Sequence, residues 1–126
     1  MTQTYLELGD DGEVTEIALT PEFWPQIMSG ERRLSGRLMM AAAMTEDMGH
    51  WEMHPAGDEV LALLSGRVTV VLEQDGDDQE IDLDAGEVCV VPRGCWHRVK
   101  VREAGEMMFI TAGEGTAHKP VKADGD

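Results

Sequence analysis

Basic side chains are scarce in this sequence: 10 Lys and Arg stand against 25 Asp and Glu, a formal charge of −15 over 126 residues. A field of that sign repels phosphate backbones and anionic lipid surfaces, so neither a nucleic acid nor a membrane is expected as a partner. Much of the acid falls in turns and at the ends (Asp10, Asp11, Asp75, Asp77, Asp78, Asp124, Asp126), where it serves solubility. No apolar run approaches the ~18 residues of a membrane-crossing helix. The N-terminus lacks the basic-then-apolar layout of a secretory signal, so a cytoplasmic location is expected. Cysteine is limited to Cys89 and Cys95, too few for a disulfide framework. Cys89 lies in the apolar stretch 88–91 and reads as a small buried hydrophobe. What is present, 42% hydrophobic and 28% charged residues, suits one folded globular domain and is wrong for disorder.

The body of the chain reads as strand, turn, strand, with Pro and Gly punctuating β-branched stretches. Strands are expected over residues 5–8, 14–19, 37–44, 50–54, 59–64, 67–73, 80–83, 87–91, 96–102 and 106–111. Asp10-Asp11-Gly12 marks a turn, and Asp75-Gly76 a hairpin. One stretch invites a helix: Thr20 as cap, Pro21 at the first helical position, then Glu22 at the positive end of the dipole. Pro25 should keep that helix short or broken. Past Gly113 the apolar pattern fades, so a barrel domain over 1–113 and a flexible tail over 114–126 are expected, with His118 exposed in the tail. Many short strands without βαβ spacing predict an all-β sandwich, barrel or jelly roll.

Strand alternation sorts side chains onto faces. In His97-Arg98-Val99-Lys100-Val101-Arg102 the three cations must reach solvent, which turns His97 inward with Val99 and Val101. In His50-Trp51-Glu52-Met53-His54 the ionisable residues share one face; it is either a solvated face or the lining of a cavity. Glu59 opens the apolar run Val60-Leu61-Ala62-Leu63-Leu64 on the side of Leu61 and Leu63, a costly place for an unpaired carboxylate. A divalent cation held by Glu52, His54, Glu59 and His97 would satisfy all four groups, with ligand distances of about 2.0–2.2 Å.

Two motifs in order sharpen this. Glu52-Met53-His54, four residues, Glu59, six residues and Gly66 resembles the first motif of the cupin family. Gly86, five residues, then Pro92-Arg93-Gly94-Cys95-Trp96-His97 resembles the second, with a short connection over 67–85. The resemblance implies a double-stranded β-helix, a jelly-roll barrel, with metal ligands at Glu52, His54, Glu59 and His97. Three positions depart from the family pattern: Glu52 stands where the first ligand is usually histidine, Glu46 replaces the leading glycine, and Val101 stands where the second motif ends in asparagine.

Glu52 bears on the chemistry. Exchanging a neutral imidazole for a carboxylate makes a divalent site formally neutral, hence a weaker Lewis acid, and favours manganese or ferrous iron while still admitting zinc and nickel. In a second arrangement His54, His97 and Glu59 form a two-His, one-carboxylate triad, with Glu52 beyond it as general base. In a third no metal binds, and Glu52 pairs with a histidine or with Arg93. His50 and Cys95 are candidate pocket residues, His50 at the barrel mouth. The methionines Met39, Met40, Met44, Met53, Met107 and Met108 read as core filler, some of them lining an apolar pocket. The expected function is that of a metal-dependent small-molecule enzyme, a dioxygenase or an isomerase; the alternative is a non-catalytic ligand-binding module, a sensor or carrier. Trp51 and Met53 on the outer face, with Phe23 and Trp24, suggest a self-associating surface and a homodimer.

Overall fold

A computed structural model describes residues 4–34 and 36–122. Its strands are β1 (Thr4–Gly9), β2 (Val14–Ala18), β3 (Gly36–Met44), β4 (His50–Met53), β5 (Glu59–Leu63), β6 (Arg67–Gln74), β7 (Asp77–Asp84), β8 (Val88–Val91), β9 (His97–Glu103), β10 (Gly105–Thr111) and β11 (Ala117–Pro120). One short helix, α1 (Phe23–Ser29), joins β2 to β3. The strands pair antiparallel in two sheets, ordered β2-β1-β3-β10-β5-β8 and β11-β4-β9-β6-β7. From β3 onward successive strands alternate between the sheets, except at the β6–β7 hairpin, as in a jelly roll, and the all-β expectation holds.

Local chemistry sets the turns. Asp75 and Gly76 both take positive φ (51° and 83°) and join Gln74 to Asp77 opposite it, the two-residue hairpin that Asp-Gly favours. The helix starts later than the sequence suggests. Glu22 rather than Thr20 is its cap residue, with no side-chain cap bond, and Pro21 precedes it. Pro25 falls in the first turn, where a backbone N–H would have no intrahelical acceptor, so the helix runs through it to Ser29.

The expected loose tail is corrected by β11, which pairs with β4 through Ala117 opposite Met53 and His118 opposite Glu52. This strand lacks an apolar pattern because a charged residue does the covering. Lys119 lies over Trp51 and Trp96, 5.8 and 4.7 Å from their ring centres, and its Nζ reaches Glu73 at 2.9 Å. Asp124 and Asp126 lie outside the described residues.

Between the sheets Leu61, Leu63, Val70, Leu72, Val91, Val99 and Met107 form the main core, with Cys89 buried among them. Tyr5, Ile17, Phe23, Ile27 and Leu38 form a second cluster beside it. The proposed outer aromatic surface is not free: Trp51 and Phe23 are only 8% and 2% exposed. Arg98 and Lys119 cover Trp51, while Tyr5 and Trp24 pack edge-on against Phe23. No helix among the described residues is long and apolar enough to cross a membrane.

Candidate metal centre

Glu52, His54, Glu59 and His97 converge between the sheets, each offering a donor atom within 4.8 Å of the others. Alternation puts Glu52 on the inner face of β4, and the β4–β9 register sets His97 opposite it. Glu59 enters from the other sheet as the first residue of β5. The turn after β8 aims His97: the Cys95 N–H donates to the Pro92 carbonyl (3.1 Å), with Gly94 at φ 76°. The Gly94 N–H donates to the His54 carbonyl at 3.0 Å, so the two motif loops hold each other. Arg93 adds to that contact through its N–H to Asp58 (2.8 Å) and its Nε to the Pro55 carbonyl (2.7 Å). It is thereby committed away from Glu52, which removes one of the pairings considered from sequence.

The second nitrogen of each imidazole fixes its tautomer. Thr116 Oγ1 donates to the Gly113 carbonyl (2.7 Å), so toward His54 Nδ1 (2.8 Å) it accepts, and His54 carries its proton on Nδ1. His97 Nδ1 faces the Cys95 carbonyl at 3.1 Å and must donate. In the neutral rings both Nε2 lone pairs therefore point inward. His54 Nε2 stands 3.0 Å from Glu52 Oε1 and 3.3 Å from Glu59 Oε2, and His97 Nε2 stands 2.9 Å from Glu59 Oε1. Thr111 Oγ1 donates to Glu59 Oε2, holding that carboxylate in place.

Lone pairs and carboxylates facing one another repel unless positive charge lies between them. His54 Nε2 and Glu59 Oε1 are buried without a hydrogen-bond partner. Their spacing matches ligands sharing one ion at ~2.0–2.2 Å. The donor set therefore fits a divalent metal. Without an ion, protons take its place. Burial pulls His54 down, but the Glu52 and Glu59 carboxylates outweigh it and push its pKa up to about 9. Burial pushes the Glu59 carboxyl up, but His54 and His97 beside it hold its pKa at about 2. For Glu52, too, burial raises the pKa, and His54 overrides it to a net lowering.

The centre opens into a cavity of about 490 Å³ walled by Met40, Met44, Met48, Leu61, Val99 and Phe109, with Tyr5 and Trp24 from the N-terminal elements. Among the described residues no Lys or Arg lines it. His50 lies at its mouth, half exposed. Cys95 does not line it: its Sγ turns toward the Glu73 and Trp96 carbonyls (3.6 and 3.5 Å), because the turn at Gly94 breaks strand alternation. Sequence reasoning missed Thr111, Thr116 and His118. His118 Nε2 sits 3.3 Å from Glu52 Oε2, and the only sequence signal was Thr116 and His118 sharing parity.

Residues 39–113 match the model of the Cupin domain family. No curated protein matches the sequence. Among solved structures, a cupin-2 domain protein of Shewanella frigidimarina is 23% identical, with 71% of this chain and 76% of that one covered and a TM-score of 0.52. Hydroquinone 1,2-dioxygenase of Sphingomonas sp. TTNP3, solved with 4-hydroxybenzoate bound, is 19% identical, over 60% and 58% of the two chains, at a TM-score of 0.51. An oxalate decarboxylase of Bacillus subtilis, a protein with Mn(II) centres, is 20% identical over 68% of this chain, at a TM-score of 0.56. This chain spans about a quarter of that enzyme, 24%. At these identities the likeness is one of fold.

Proposed function

The chain belongs to the cupin domain family, and from that premise we propose that it is a metal-dependent oxygenase acting on an uncharged, largely apolar small molecule. One observation carries the reading: two imidazoles and two carboxylates meet around one point at the base of an otherwise apolar cavity. The most buried three, His54, Glu59 and His97, form a two-His, one-carboxylate set, the donor type of non-haem iron oxygenases. When bound, the ion supplies the one-electron chemistry that dioxygen requires.

The chain's own residues do the rest. Thr116 and the Cys95 carbonyl orient the imidazoles, and Thr111 orients Glu59. The methionine, leucine and phenylalanine walls favour an apolar substrate and exclude water. Without Lys or Arg in the lining, an anionic substrate finds no partner beyond the centre. Tyr5 Oη accepts from Trp24 Nε1 at 3.2 Å, which leaves its own proton to donate to a polar group on the substrate. A carboxylate at position 52 in place of histidine weakens the Lewis acidity that a carbonyl isomerase would use, which favours oxygenase over isomerase.

The test is oxygen consumption with product analysis. Protein loaded with ferrous iron or manganese is presented with uncharged aromatic and aliphatic compounds. Turnover should be lost in His97→Ala. Ala42→Phe, which fills the cavity, should keep the metal and lose turnover. If wild type turns nothing over and compounds bind equally well to His97→Ala, the chain is a sensor or carrier.

The homodimer is proposed through a different surface from the one first expected. Leu64, Val88 and Val90 are 55–66% exposed, and the β5–β8 register puts Val88 and Val90 on one outer face beside Ala62 and Val60.

A further inference from the structure

The geometry points to a second divalent-cation site at the cavity mouth, formed by His50, His118 and the outward oxygen of Glu52. Glu52 divides its carboxylate between two neighbourhoods. Oε1 faces His54 at 3.0 Å, while Oε2 faces His118 Nε2 at 3.3 Å and His50 Nε2 at 4.0 Å. One donor atom from each of His50, Glu52 and His118 lies within 4.8 Å of the others. The two rings meet edge-to-face, 4.6 Å between centres, on diagonal positions of the β4–β11 ladder and on the face of Glu52.

A hydrogen bond from His118 to Glu52 accounts for one of these contacts and leaves His50 with its ring contact to His118 and an Nε2 4.0 Å from Glu52. A cation would use all three, and two imidazoles with one carboxylate suit zinc, manganese or ferrous iron. It also gives a reason for the acid at position 52. A histidine there has one inward nitrogen to give, whereas a carboxylate has two oxygens and can bridge a buried and a mouth ion, as in two-metal centres. The mouth residues are partly exposed (side chains 50%, 24% and 29% for His50, Glu52 and His118), so the remaining coordination positions face water and the cavity entrance. The net acidity of the chain draws cations toward such an opening.

This inference rests on the metal-centre reading in one respect, that Glu52 gives its other oxygen to the buried ion. The test is equilibrium dialysis of the full chain against Zn²⁺, with Mn²⁺ electron paramagnetic resonance as a second readout. Wild type should hold two equivalents of Zn²⁺. The double variant His50→Ala, His118→Ala should hold one, and as both side chains are exposed it should fold as wild type does by circular dichroism. His97→Ala should keep the mouth equivalent and lose the buried one, while Glu52→Gln should weaken both by about tenfold or more. Doubly loaded Mn²⁺ protein should give the broadened spectrum of a magnetically coupled pair. One equivalent in wild type, unchanged by the His50 and His118 substitutions, overturns the mouth site and leaves the buried centre standing. One equivalent lost with those substitutions but indifferent to His97→Ala overturns the buried centre instead. Two equivalents with the spectrum of isolated ions overturn the bridge.

Discussion

His97 Nε2 lies 2.9 Å from Glu59 Oε1, although the two residues belong to strands of different sheets. With an ion or a proton between them, the pair joins the two sheets at the site. Both side chains are 3% exposed, so the contact is shielded from water and worth more than a surface pair, provided the remaining lone pairs are matched by positive charge.

Glu59→Gln keeps the shape of the side chain and removes its charge. Bound metal should fall by about 100-fold or more in affinity, beyond the 10–100-fold typical of losing a supporting contact. The fold should survive, since Thr111 can still donate to the amide oxygen. Metal analysis after dialysis and far-ultraviolet circular dichroism separate the two effects.

Thr116→Val removes the acceptor that holds the Nδ1 proton of His54 and leaves volume nearly unchanged. Metal affinity should drop by about 10–100-fold while all four donors remain present. Titration calorimetry on the variant checks this; affinity equal to wild type would show that Thr116 does not orient the ring.

The metal-free protein should have a distinctive pH profile. His54 rises from 6.5 in the unfolded chain to about 9 when folded, so its contribution is complete below 6.5 and is lost as pH climbs through 9. Glu59 falls from 4.5 to about 2, so its contribution is present above 4.5 and is lost as pH drops through 2. For these two groups, stability without metal peaks between about 4.5 and 6.5. Thermal unfolding in chelator should show Tm decreasing from pH 6.5 to 9. A divalent ion, which needs His54 deprotonated, should bind more tightly over the same interval and flatten the decrease.

Val90→Lys places a charge on the outer strip of β8, on a residue that is exposed and does not line the cavity. Light scattering at micromolar concentration should report a dimer for wild type and a monomer for the variant, with metal content unchanged. A monomeric wild type would remove this interface.

Much of the site was legible before the fold was known. Three cations at alternate positions leave His97 only one direction to point, and the interval from Glu52 to Glu59 carries three donors on a strand, its turn and the next strand. The helix is short, as Pro25 requires, but it begins at Phe23 rather than Pro21, because a sequence does not say which turn of the helix a proline will occupy. Cys95, a candidate pocket residue by sequence, does not line the cavity, because Gly94 takes φ 76° and interrupts the alternation before His97. Residues 117–120 show no apolar period, so nothing marked them as a strand until β4 supplied an edge to pair with.

The sequence by itself determined that His97 faces inward and where the chain turns, since a two-residue period and the steric preferences of Gly, Pro and Asp act over a few neighbours. Tertiary structure alone decided that Thr116 orients His54 and that the two oxygens of Glu52 look toward different histidines. Those contacts span 62 and 66 residues, and closing such distances depends on the packing of both sheets rather than on any local pattern.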